Sequence, residues 1–168
     1  VWRSADYEMT RADDVEAARL CLPRRARLSH RTRIEHLGYD THATGPLHFT
    51  IAGDHHLALP NIVLHRTKVL PPGDDLGVHP AAAFIQVCAA ETLVQTVRLG
   101  DFLLSNGHLT RGDVLELARL QPWRPGTRQA VSVLPLLDDS VRSPRESDTR
   151  MWMVAAGLPR PACNAIVP

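Results

Sequence analysis

The feature that most limits how this chain can fold is its punctuation: helix-starting residues recur along it, each followed within a few turns by proline or glycine. Thr10 with Asp13 opens the run Val15, Ala18 and Leu20 to Leu22, which Pro23 stops. Ser29 caps a short second helix ending at Gly38. Ala81 to Ala90 follows Pro80 with a helical pattern, and Thr92 with Gln95 has the spacing of a capping box. Val94, Val97, Leu99, Phe102 and Leu103 then supply apolar faces until Asn106 and Gly107. Thr110 opens another helix through Val114, Leu115, Leu117 and Ala118, halted before Pro122. Ser143, Pro144 and Glu146 combine an N-cap, proline at the first helical position and a reciprocal glutamate. Gly157 ends that helix, and Pro159 and Pro161 forbid its continuation.

Between the second and third helices the period changes. Leu47, Phe49 and Ile51 alternate with His48, Thr50 and Ala52, and Ile62 to Arg66 follows a polar loop, which reads as an antiparallel strand pair. The expected class is α+β, several short helices packed on a small antiparallel sheet. Gln129 to Leu137 reads equally as helix or strand, Pro135 arguing against a long helix, and Gln121 to Gly126 reads as a linker.

Nineteen Lys and Arg against eighteen Asp and Glu give a net charge of +1, so no global field announces nucleic acid or an anionic membrane. Any basic patch must be local. Lys68 is the only lysine, and such arginine bias fits a GC-rich genome as readily as phosphate recognition. No apolar run approaches the roughly 20 residues of a membrane span, and no signal-peptide pattern opens the chain. Cys21, Cys88 and Cys163 are far apart and set among apolar residues, which points to reduced, buried thiols and a cytoplasmic setting. The chain begins at Val1, and Ala165 to Pro168 reads as a strand just starting, so both ends look cut.

The segment Ser143-Pro-Arg-Glu-Ser-Asp-Thr-Arg-Met-Trp-Met-Val-Ala-Ala-Gly-Leu-Pro-Arg-Pro-Ala-Cys-Asn164 resembles the opening of the Vsr-like endonuclease domain in a group of actinobacterial proteins. In that group the domain follows a region related to AbiEi-type antitoxins, which three earlier stretches resemble. These are Leu28-Ser-His-Arg-Thr32 with Gly38, His48-Phe-Thr-Ile51 followed by Val63-Leu-His-Arg66, and Phe84-Ile-Gln-Val-Cys88 leading to Leu99-Gly-Asp101. The resemblance implies an antitoxin-like α+β domain over residues 1–138 and, over 139–168, the first helix of an incomplete nuclease domain. Family members usually begin with a winged helix and continue past Asn164 into a PD-(D/E)XK sheet, neither of which this chain includes. The often acidic position before Ser143 is Arg142, and the segment around Ala82 lacks a common arginine.

Candidate sites follow from both readings. The resemblance nominates Glu146 as the acidic group of the nuclease core, here a vestigial catalytic candidate, because magnesium-assisted phosphodiester cleavage needs several converging carboxylates. A capping partner of Ser143 is the competing role. Arg24, Arg25, Arg27, Arg31 and Arg33 form a dense basic segment able to grip phosphates. His48, His55, His56 and His65 invite zinc, but the adjacency of His55 and His56 and the lack of a familiar ligand spacing favour solvent-facing strand histidines and no metal. Ser29, His30 and an aspartate make a triad only on paper, with no nucleophile elbow. Asp101 and Asp113 read as surface or capping groups, Asp148 and Arg150 as a pair on one exposed helix face, and Met151, Trp152 and Met153 as core or interface.

The resulting expectation is a DNA-associated, antitoxin-like regulatory or binding module with no cofactor of its own. DNA, a toxin protein or a second copy are its partners. The alternatives are a fragment of a magnesium-dependent endonuclease and a folded remnant that only self-associates.

Overall fold

The computed structural model describes residues 8–39 and 44–164; the expected strand start at Ala165 to Pro168 lies outside them. Contacts divide the chain into two compact units, Val1–Val78 and His79–Pro168. The α+β class holds. The expected boundary after residue 138 lies inside the second unit.

In the first unit, Thr10 and Asp13 form a reciprocal capping box at the start of α1 (Arg11–Cys21). This helix buries Val15 and Ala18, and with Leu22 they pack on Leu28, Leu47 and Phe49, with Ile62 and Leu64 at the margin. Leu20, by contrast, is 78% exposed. The sheet contains β1 (Arg27–Leu28), β2 (Leu47–Ala52) and β3 (Ile62–Thr67), in that order. β1 pairs antiparallel with β2, whereas β2 and β3 run parallel, with Leu47 opposite Ile62 and Ala52 opposite Thr67.

The parallel pair corrects the antiparallel expectation, and the reason is physical. Side chains alternate with period two in either ladder, so alternation is blind to strand direction. Direction is decided by the connection. After Gly53, at φ 98°, the chain runs back beside β2 and re-enters at Asn61, at φ 58°. The Leu47 amide donates to Asn61 and the Gly53 amide to Thr67, closing both ends. The return is about 20 Å, within reach of the extended length of residues 53–61, roughly 30 Å.

Segment 74–78 lies along the outer edge of β1, where the Val78 amide donates to the Leu28 carbonyl. α2 (His30–His36) follows β1 and contacts β2. Ser29 occupies its N-cap position but makes no side-chain cap; its hydroxyl meets His30 instead.

In the second unit, α3 (Pro80–Cys88) buries Ala81, Ala82, Ala83, Phe84, Ile85, Val87 and Cys88, the all-round apolar pattern of a central helix. α4 (Leu93–Ser105), α5 (Arg111–Leu120) and α6 (Thr127–Val133) pack around it. Thr92 with Gln95, and Thr110 with Asp113, form the capping boxes of α4 and α5. The ambiguous stretch from Gln129 resolves as helix, ending in a 3₁₀ turn at Leu134–Leu136 that accommodates Pro135.

The expected linker at Gln121 to Gly126 is a packed turn. Gly126 has φ 90°, and a Cβ there would lie 1.9 Å from the Ile85 carbonyl oxygen. α7 (Pro144–Ala155) begins at the Ser143 cap and packs on α4. Its Met151 is buried, but Trp152 is 67% exposed. The cysteines are all free thiols: Cys88 is buried, Cys163 half-buried and Cys21 exposed, the last against expectation.

Candidate functional site

The five-arginine segment separates into two groups. Arg33 is buried in the first unit, where its Nε donates to the Val78 carbonyl and its Nη2 to Asp74, each at 3.0 Å. Asp74 in turn accepts from the Leu76 and Gly77 amides. Partial burial opposes ionisation of that carboxyl, but the Gly77 amide and the Arg33 guanidinium bring it below the usual range. Arg31 pairs with Glu35 one turn along α2 at 3.3 Å. Arg33 is therefore committed to the fold, whereas Arg31, 32% exposed, is paired within its own helix.

Arg24, Arg25 and Arg27 stay together and are joined by Arg19 from the last turn of α1. The four line one cleft of about 1070 Å³, with Glu16 and Asp75 as its carboxylates among the described residues. Arg24 and Arg25 are exposed. Arg27 reaches the Pro71 carbonyl and Arg19 the Asp75 carbonyl, contacts that orient the guanidinium groups without neutralising them. Pro23 builds this wall: it stops α1, and the turn that follows carries Arg24 and Arg25 beside Arg19. Arg19 was not among the expected residues. Its place in the last turn of α1, just ahead of Pro23, was the available signal.

On the same unit, His48 of β2 and His65 of β3 meet, with Nδ1 of His48 2.9 Å from Nε2 of His65. The parallel register sets His48 opposite Val63, so His65, two residues on, shares its face. His30 stacks on His65 with ring centroids 3.7 Å apart, and its Nδ1 lies 3.0 Å from the Ser29 hydroxyl. All three rings are half-buried, which corrects the solvent-facing expectation. Burial first, and then the neighbouring imidazoles, hold His30 near a pKa of about 3 and His65 near about 4. His30 and His65 are therefore neutral at pH 7. His55 and His56 are exposed and stand apart; His56 faces Asp54. Among the described residues, His30, His48 and His65 are the one group of three or more His, Cys, Asp or Glu with metal-holding geometry. The missed member was His30, which lies not on a strand but at the start of α2, between β1 and β2.

Glu146 closes the start of α7. It accepts from the Ser143 hydroxyl, the Arg142 amide and the Asn164 side chain. The Arg142 amide, ahead of Ser143 and Asn164, keeps its carboxyl below the ordinary range. The other acidic expectations change more. Asp101 is fully buried, taking bonds from the Asp138 amide, the Ser147 hydroxyl and the buried Arg150 guanidinium. Asp148 pairs with Arg98 of α4 rather than with Arg150. Asp113 is the capping residue expected.

Comparison of the chain with protein-family models, with curated proteins and with solved structures found no match.

Proposed function

We propose that the chain is a DNA-associated binding module of the antitoxin-like regulatory kind, which holds the phosphate backbone through Arg19, Arg24, Arg25 and Arg27. The observation that carries this reading is that four arginines, two of them exposed, line one cleft beside two described carboxylates. Guanidinium presents a planar fork of donors that matches phosphate oxygens, and such contacts position a duplex without reading its sequence. A near-neutral chain needs a local surplus of this kind to bind a polyanion.

The endonuclease reading has less support. Glu146 is held by the Ser143 hydroxyl and the Arg142 amide at the start of α7 and by the Asn164 side chain, none of them a second carboxylate, whereas a magnesium ion in phosphodiester cleavage draws on several. Fluorescence anisotropy of labelled duplex DNA across a salt series tests the proposal: binding that weakens steeply with salt supports it, and no binding at low salt refutes it.

A further inference from the structure

We propose that His30, His48 and His65 form a binding site for a divalent transition-metal ion of the zinc class, held by three imidazole nitrogens. One ligand atom from each ring lies within 4.8 Å of the other two. A tetrahedral ion bonded at about 2.0–2.1 Å to each nitrogen sets its ligands roughly 3.3 Å apart. The 2.9 Å contact of His48 Nδ1 with His65 Nε2 lies within a few tenths of an ångström of that spacing, and the His30 ring, stacked on His65 with planes 21° apart, rotates to turn its in-plane lone pair toward the same ion.

The rings come from three separate elements. His48 and His65 are set by the β2–β3 register. The backbone amide of His48 donates to the Thr32 hydroxyl of α2 at 2.9 Å, tying that strand to the helix bearing the third ring. His30 starts α2 at φ 51°, the left-handed region uncommon for a residue with a side chain. Its Nδ1 meets the Ser29 hydroxyl at 3.0 Å, the kind of outer partner that orients a ligating histidine. Imidazole ligands select zinc, cobalt, nickel or copper over magnesium and calcium, which take oxygen. Three neutral ligands leave the ion its full double charge and a fourth position for water or an anion.

The test uses the full chain, stripped with chelator and titrated with Co²⁺ followed by visible ligand-field absorption, and with Zn²⁺ by calorimetry. One equivalent is expected to bind with the intense spectrum of a low-coordinate site. His48→Ala and His65→Ala are expected to weaken binding at least about a hundredfold, since even outer partners of a metal site contribute 10–100-fold. His55→Ala is expected to leave it unchanged. In the unmutated chain, selectively labelled histidines read by NMR should show Zn²⁺ shifting His30, His48 and His65 together, an outcome independent of how the variants fold. No ligand-field spectrum, or Zn²⁺ shifts confined to His55 and His56, would overturn the assignment.

Discussion

His48 and His65 stand on adjacent parallel strands, diagonal to one another on one face, with ring nitrogens 2.9 Å apart. Two imidazoles so placed cannot both carry a proton without repulsion, and His30 stacks on the pair. His30 and His65 titrate near about 3 and about 4 when folded, below their ordinary 6.5. The unfolded chain thus binds more protons between those values, so stability falls as pH drops from about 6.5 toward 4. We expect the first unit to melt at a lower temperature at pH 5 than at pH 7, and His30→Gln to shrink that difference. Equal melting of the unmutated chain at both values would contradict a neutral cluster.

Asp101 and Arg150 form a buried ion pair in the second unit. Changing Asp101→Asn leaves the Arg150 charge buried without its counterion, an expected loss of about 3–5 kcal/mol. Urea denaturation checks this. The double change Asp101→Leu with Arg150→Met should be less damaging than Asp101→Asn alone, because it removes both charges.

The two groups of arginines separate in stability. Arg33→Ala strips donors from Val78 and Asp74 and is expected to destabilise by about 2–3 kcal/mol. Arg24→Ala, on an exposed side chain, should stay within about 0.5 kcal/mol. Equal effects of the two on thermal unfolding would contradict the division of labour.

Two left-handed glycines give a paired test of packing. Gly126→Ala places a methyl against the Ile85 backbone and is expected to cost about 3 kcal/mol or more. Gly107→Ala, at φ 70° in open space, should cost only about 1 kcal/mol. Chemical denaturation of both variants measures the contrast.

Local signals explain most of what was legible in the sequence. Thr10 with Asp13, Thr92 with Gln95, Thr110 and Ser143 with Pro144 mark their helices because a cap is a bond between residues three apart. What stayed hidden depends on partners distant in the chain. The polarity of the β2–β3 pair rests on the path of residues 53–61, and Asp101 is buried only because α7 brings Arg150 and Ser147 to it. The basic site was half legible for the same reason. Five arginines between residues 24 and 33 identify a segment, yet Asp74 and Glu35, which pair with Arg33 and Arg31, and Arg19, which joins the other three, come from elsewhere.

The most direct test of the arginine cleft is the salt dependence of duplex DNA binding, measured by anisotropy for the unmutated chain and for Arg24→Ala/Arg25→Ala/Arg27→Ala. Four phosphate contacts predict a slope of log K against log salt of about −3.6, falling to about −0.9 in the triple variant. An undiminished slope in a folded triple variant, or no binding by the unmutated chain at low salt, would contradict the account.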